Sequence, residues 1–341
     1  MNNYYIFYFF IIFLVNFLFF HNLDFLAKKI NIFDAPDGLR KLHRKKVPAL
    51  GGFLISINIV LFLLLFNKEV TSFENYKNIL LINSYYFLFT YILTFFTLFL
   101  VGFLDDKYSL QPFKKIVIFL FIYFILVIFD ETLYIKRIIF SFSDLKILLG
   151  KSAPLFAILC IIFAIISQNM FDGVNLQTGL LFLLLSIFFI FKGISPELFS
   201  TISLCLIFFL YNNYKNKIFL GDSGVYVLSF ITSFAFIKSY SMNFATIYPD
   251  EIFCYLFLPT IDAIRVSIQR IFLGKSPFLA DRTHFHHFLL KKFSITKFYT
   301  IIISLLLLPF VWINSLKFDV PLLIFIQFFS YFFLLYQSIK K

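Results

Sequence analysis

Residues 82–104 read INSYYFLFTYILTFFTLFLVGFL, and the pair Asp105-Asp106 follows directly. This stretch carries no charge, and as a helix it would extend about 35 Å, enough to cross a hydrocarbon core of about 30 Å. Its apolar residues are consecutive and do not alternate with polar ones as the strands of a membrane barrel do. Lipid offers backbone N–H and C=O groups no partner, so the run is read as a helix. The first charges after it are two carboxylates, placed where that helix leaves the bilayer.

The same pattern recurs along the chain. Eleven apolar runs are read at about 3–20, 49–66, 82–104, 115–130, 153–168, 178–193, 197–212, 223–240, 251–273, 298–315 and 320–337. Composition agrees: 61% of the residues are apolar, 14% are charged and the mean hydropathy is +0.91, whereas soluble domains carry about 25% charged residues. The expected fold is all-α, a polytopic transmembrane bundle of 10–11 helices forming a single domain over residues 1–341. Met1-Asn2-Asn3 puts no basic residue before the first run and no small-residue cleavage site follows it, so that run is expected to be a retained helix. Cys160, Cys205 and Cys254 lie singly in three different runs and read as small buried hydrophobes.

With eleven spans, the connections 21–48, 105–114, 169–177, 213–222 and 274–297 share one face. That face holds 19 of the 30 Lys and Arg, counting Lys115, Arg265 and Arg270 at the adjoining helix ends, and 21 with Lys340 and Lys341. The positive-inside rule then makes this face cytoplasmic and leaves the N-terminus outside. The same loops contain Asp34, Arg40, Lys41, His43, Asp105, Asp106, Asn169, Asp172, Asp222, Asp281, Arg282, His284, His286 and His287. The opposite connections carry no comparable cluster.

Each segment has its own chemistry. Asp105 and Asp106, as helical neighbours, point about 100° apart, so the two are expected to divide their labour, one acting as base or nucleophile and the other holding a cation or a basic group. Asn169 and Asp172 are three apart before Gly173 and share the face of a last helical turn. Gly221-Asp222-Ser223-Gly224 opens a helix, where glycines let backbone approach a ligand and free N–H groups favour anionic oxygens; simple capping by Asp222 or Ser223 is the plainer reading. His284, His286 and His287 beside Arg282 read as donors for a pyrophosphate or sugar, because a zinc site would draw in Cys or evenly spaced His. The basic run Arg40-Lys41-Leu-His43-Arg44-Lys45-Lys46 before Pro48 and Gly51-Gly52 suggests a folded anion site, beyond the headgroup binding that such runs show beside membranes. Asp262 and Arg265, one turn apart, are expected to pair.

Taken in order, these segments resemble the polyprenyl-phosphate N-acetylhexosaminyl-1-phosphate transferase family, glycosyltransferase family 4. The resemblance rests on Asp34-x-Pro…Arg40-Lys41-x-His43…Pro48…Gly51-Gly52, Gly102-Phe-Leu-Asp105-Asp106, Asn169-Met-Phe-Asp172-Gly173, Phe219-Leu-Gly221-Asp222-Ser223-Gly224, Pro259-x-x-Asp262 and Ser276-Pro277-Phe278…Asp281-Arg-x-His284-Phe-His286-His287. The His-x-His-His form resembles the antigen-initiating undecaprenyl-phosphate GlcNAc-1-phosphate transferase branch. In the peptidoglycan branch, the phospho-N-acetylmuramoyl-pentapeptide transferases, the histidine motif differs and an acidic residue follows it; here Phe288 follows His287. One departure stands out: the family often has a second Asp three residues after the first, and this chain has Asn175.

The resemblance implies a UDP-N-acetylhexosamine donor, undecaprenyl phosphate as acceptor, UMP and a lipid-linked sugar pyrophosphate as products, and a first step of O-antigen or similar surface glycan synthesis. It implies Mg²⁺, with Mn²⁺ as the alternative, held mainly by Asp222 with Asp172. Asp105 is expected to act as base on the lipid phosphate, with Asp106 and Asp172 supporting metal and nucleotide. Arg40, Lys41 and His43 are expected to grip phosphate, and Asn169, Arg282, His284, His286 and His287 to bind nucleotide, pyrophosphate and sugar. The expected setting is the bacterial inner membrane, in contact with membrane lipid, as one chain or a homodimer, with no nucleic-acid partner. A transporter is the rival from another class, but transporter sites lie near the bilayer midplane, whereas these acids sit at helix ends.

Overall fold

A computed structural model describes residues 2–36, 45–70, 85–243, 246–279, 281–316 and 319–340. Each of the eleven apolar runs is helical within the described residues. The helices are α1 (Asn2–His21), α2 (Leu23–Ile30), α3 (Gly51–Val70), α4 (Tyr85–Tyr108), α5 (Pro112–Phe129), α6 (Ala153–Phe171), α7 (Gln177–Phe191), α8 (Pro196–Tyr214), α9 (Gly221–Ser241), α10 (Pro249–Tyr255), α11 (Phe257–Phe272), α12 (Phe285–Lys292), α13 (Ile295–Val311) and α14 (Val320–Ile339). Two short antiparallel hairpins join them, β1 (Phe33–Asp34) with β2 (Val47–Pro48) and β3 (Arg137–Ile139) with β4 (Lys146–Leu148).

The all-α bundle is as expected; length and composition do not confirm the count of eleven spans. Among the described residues, five helical stretches are long and apolar enough to cross a membrane, or six if α1 and α2, bent by 69° at their junction, form one. α9 is buried on every side from Ser223 to Ser239, so it meets protein, not lipid, and tolerates Asp222, Lys238 and a run of Ser and Thr. The expected ninth span is two helices, α10 and α11, broken at Leu256. Pro259 has no N–H to give the Tyr255 carbonyl, and its ring crowds that turn. α2 was not anticipated: Leu23 and Ala27, four apart, are its buried face, while Lys28 and Lys29 are exposed.

Buried polar pairs fix the bundle inside its apolar core. Asn16 on α1 and Asn58 on α3 exchange amide hydrogen bonds of 2.8 and 3.2 Å, and Tyr8 meets Thr201 on α8 at 2.5 Å. At the end remote from the acid-bearing loops, Lys238 and Asp130, both essentially without solvent exposure, lie 3.5 Å apart. There the β3–β4 hairpin is tied down by Tyr240, which accepts from Ile139 N at 3.0 Å, and by Asp250, which accepts from Ser141 N at 3.0 Å. This face is therefore more organised than its sequence suggested.

Candidate active site

The start of α9 is the keystone. Phe219 N donates to Pro48 O at 2.9 Å, and Gly51 N and Gly52 N donate to Phe219 O and Leu220 O at 3.0 Å each. The unpaired N–H groups of the α3 start are thus taken by carbonyls and are not free for an anion; the basic run expected to form the anion site lies, for residues 40–44, outside the described residues. Only glycines permit this contact. A Cβ on Gly52 would lie 2.2 Å from Ser223 Oγ, and one on Gly102 of α4 would lie 2.3 Å from Ser223 Cα. Gly221 adopts φ +73°, with the Asp106 carboxylate where a side chain would go.

Asp106 fills the N-terminus of α9. Its Oδ1 accepts from Asp222 N at 2.7 Å, and its Oδ2 accepts from Ser223 N at 3.2 Å and Ser223 Oγ at 2.9 Å. The anion drawn to this helix start is a side chain from α4, acting as an N-cap supplied by another helix. The glycines expected to admit a ligand instead admit α3, α4 and Asp106.

Asp105, one residue earlier, faces elsewhere. Its Oδ1 accepts from Leu110 N at 2.8 Å, and its Oδ2 accepts from Lys115 Nζ of α5 at 2.5 Å and from Tyr226 OH of α9 at 2.8 Å. Asn169 of α6 donates to the same Tyr226 oxygen at 3.2 Å. The Asp222 carboxyl faces that of Asp105. The divergence of neighbours on one helix therefore gives two distinct environments, as the spacing suggests. Asp172 ends α6 on the wall of the same cleft. It reaches solvent there, yet protein encloses it on most sides, and this burial, reinforced by the charge of Asp34, pushes its carboxyl up to about 6.

The histidine loop is built on a separate network. Asp262 on α11 accepts from Arg265 Nη2 at 2.6 Å, Tyr331 OH of α14 at 2.8 Å and Phe285 N at 3.1 Å through Oδ1, while its Oδ2 meets His284 Nδ1 at 2.9 Å. Arg270 Nη2 reaches His284 Nε2 at 3.3 Å. A guanidinium only donates, so Nε2 is the acceptor and the ring proton sits on Nδ1, facing Asp262. Both nitrogens of His284 thus serve the scaffold. Arg270 also grips Asp281 with two bonds of 3.0 and 3.1 Å. Partial burial would raise the Asp281 carboxyl, but that grip and the Thr283 hydroxyl and N–H hold it well below the usual range.

His286 lies against Gly173, whose Cβ would come within 2.2 Å of its Nε2. This contact joins the histidine loop to the Asp172 loop. Burial first, then the neighbouring His287 and His284, hold the His286 imidazole well below its ordinary value. It is a neutral group at pH 7, able to donate as expected.

All of this surrounds one cleft of 1360 Å³, lined among others by Asp105, Asp106, Asn169, Asp172, Asp222, His284, His286 and His287. Arg282 is exposed and is not on its wall; Arg270, absent from the sequence reading of the site, is. Arg40, Lys41 and His43 lie outside the described residues. Among the described residues, no three His, Cys, Asp or Glu side chains converge to hold a metal ion by themselves. Lys115 and Tyr226 were missed as well. Lys115 read only as charge on its face, and Tyr226 lies unmarked in a helix rich in aromatic residues.

Comparison with known proteins places this geometry. The family model for glycosyl transferase family 4 matches residues 88–240, from α4 through α9. A protein of Thermotoga maritima is 27% identical over 292 residues, covering 83% of this chain and 81% of its own length. One of Yersinia pestis is 25% identical over 285 residues, covering 78% and 71%. One of Escherichia coli strain K12 is 23% identical over 291 residues, covering 82% and 75%. All three are named undecaprenyl-phosphate alpha-N-acetylglucosaminyl 1-phosphate transferases. A matching core, similarity along most of the chain and a cleft built from the residues that carry the resemblance point the same way: over residues 88–240 the chain is similar to glycosyl transferase family 4.

Proposed function

We propose that this chain transfers N-acetylglucosamine 1-phosphate, or a close N-acetylhexosamine analogue, from its UDP-linked donor to undecaprenyl phosphate. An oxygen of the lipid phosphate attacks the phosphorus that bears the sugar. A new P–O bond forms, the bond from that phosphorus to the bridging oxygen breaks, and UMP leaves with the electron pair. The observation that carries this reading is the meeting of Asp105–Lys115–Tyr226, Asp222, Asp172 and His286 in one cleft at the end of a helix bundle. The names of the three relatives support the substrates.

Phosphoryl transfer depends on positioning and charge neutralisation. A lipid phosphate loses its second proton near pH 6, to within about a unit, so at neutral pH it is already a nucleophile and needs no strong base. Asp105, engaged by three donors, suits a different task from the base first expected: it holds Lys115 at the cleft wall, where the ammonium can meet incoming phosphate oxygens. Neutral His286 offers a hydrogen bond without drawing a counter-charge.

The carboxyls of Asp222 and Asp105 face one another, an arrangement that a cation relieves, and Mg²⁺ takes only one or two carboxylates with phosphate oxygens and water completing its shell. The donor set therefore fits Mg²⁺ on Asp222, with Asp172 in reserve. Held there by Asp222, Mg²⁺ would supply neutralisation of the charge on the diphosphate. The excess of Lys and Arg on the loops around this end supports a cytoplasmic cleft in a bacterial inner membrane.

The test is UMP release by purified protein given undecaprenyl phosphate, Mg²⁺ and a panel of UDP-N-acetylhexosamines. Release that requires lipid and Mg²⁺, and falls at least a hundredfold in Asp222→Asn, is expected. Lipid-independent release, or full activity in that variant, overturns the reading.

A further inference from the structure

The loop after Asp172 carries Asn175, and both hydrogens of its side-chain amide are engaged. Asn175 Nδ2 donates to Asn213 O at 2.8 Å and to Asn216 Oδ1 at 2.7 Å. Asn213 answers in the other direction: its Oδ1 accepts from Leu176 N at 2.7 Å, and its Nδ2 donates to Ile218 O at 2.8 Å. Three asparagines thus clasp the α6–α7 loop, which bears Asp172, to the α8–α9 loop, which leads into Asp222.

The backbone explains why a clasp is needed. Leu176, the residue after Asn175, sits at φ +68°, a left-handed conformation that strains a bulky side chain and persists only when its surroundings fix it. Asn213 fixes it through Leu176 N, and Asn175 anchors the residue before it. Asn216, at φ +54°, is one of the few residue types that takes this conformation readily.

The polarity of the clasp is set. Asn213 O is a backbone carbonyl and can only accept, so position 175 must donate. A carboxylate there would face that carbonyl with no proton to offer. We infer that Asn175 is a positioning residue: through Asn213 and Asn216 it sets the Asp172 loop against the Asp222 loop, and it takes no direct part in holding metal or lipid phosphate. This inference rests on the proposed reaction for its meaning, but its geometry can be tested without it.

The experiment compares Asn175→Asp with Asn216→Asp in the full-length protein. Both add one negative charge at the cleft wall. Only the first removes the donor, since an aspartate at 216 still accepts from Asn175 and still tolerates a positive φ. Hydrogen exchange reads the clasp directly. The Leu176 amide should exchange at least tenfold faster in Asn175→Asp and within threefold of the parent rate in Asn216→Asp. In the UMP-release assay, kcat should fall at least tenfold in Asn175→Asp with the KM for UDP-sugar and the Mg²⁺ requirement changed less than threefold, and less than threefold in Asn216→Asp. Equal loss of activity in the two variants, or a tighter Mg²⁺ requirement in Asn175→Asp, would overturn the inference, because charge or ligation at 175 would then be the operative property. Unchanged exchange at Leu176 in Asn175→Asp would overturn it too. Should the parent protein release no UMP, the proposed function fails, while the exchange result still decides the clasp.

Discussion

Asp106 offers the sharpest test of how the site is held. Asp106→Asn keeps one oxygen and turns the other into an amide NH₂, which cannot accept from Ser223 N. The α9 start then loses a charge-assisted bond, worth about 1.5–3 kcal/mol when a buried donor is left unmatched, and the favourable charge at its N-terminus, worth about 0.3–1 kcal/mol. A loss near 2–3 kcal/mol is expected. A chain of 341 residues has an unfolding entropy of about 0.7 kcal/mol/K, so the melting temperature in detergent should fall by about 3–4 °C. Because Asp106 holds the residue that is proposed to bind the cation, kcat should drop as well, at least tenfold. The assay pair is thermal melting by intrinsic fluorescence and UMP release across a Mg²⁺ titration. An Asp106→Asn protein that melts within 1 °C of the parent, yet needs about tenfold more Mg²⁺, would refute the capping argument and make Asp106 a metal ligand.

Other perturbations follow from the same geometry. Asp105→Asn should release Lys115 and weaken the Tyr226 contact, lowering kcat more than tenfold in the UMP-release assay. Gly102→Ala should drive a methyl into the Ser223 backbone, destabilising the protein by about 1–3 kcal/mol through overpacking, measured as a lower melting temperature. Gly173→Ala should displace His286 and lower activity with little change in melting, since the two residues meet at the cleft wall. Asp172, whose folded carboxyl titrates near 6 against an ordinary value near 4, to within about a unit, binds its proton more tightly in the folded state. Its contribution therefore makes stability fall as pH rises from about 4 to about 6 and stay flat above that; in Asp172→Asn the melting temperature should lose that part of its slope.

Much of this architecture was legible in the sequence because lipid is a severe selector. Long uncharged runs had to be helices, and polar loops at alternate ends had to share a face. The loops bearing Asp105, Asn169, Asp222 and His286 do line one cleft. Pro259 marks the break between α10 and α11, and the Leu23–Ala27 spacing marks α2. What could not be read is pairing across the bundle. Lys115 and Tyr226 are bound to Asp105 from different helices, and nothing local in Pro112-Phe-Lys-Lys or in Val225-Tyr-Val marks either as a partner. The glycines were ambiguous for a related reason. A missing Cβ admits a ligand or a neighbouring backbone equally well, and only the packing of α3 and α4 on α9 decides between them.

The division between core and flanks has a consequence for specificity. Residues 88–240, the part matched to the family, supply Asp105, Asp106, Asp172 and Asp222. Their positions depend on a junction in which a single methyl at Gly102 would meet backbone at 2.3 Å, so little adjustment is available to them. Misplacement by about 1 Å can slow an enzyme by about a hundredfold, and a chemistry common to a family is well served by such rigidity. The residues outside that core are arranged differently. The histidine loop hangs from Asp262, Arg265, Arg270 and Tyr331, all of them side chains, and meets the core at Gly173. Side-chain scaffolds accommodate substitution more readily than backbone contacts do. Substitutions that loosen the side-chain network at residues 262–287 are therefore expected to disturb the core carboxylates less than a methyl at Gly102 does, measured as a smaller loss of kcat in the UMP-release assay.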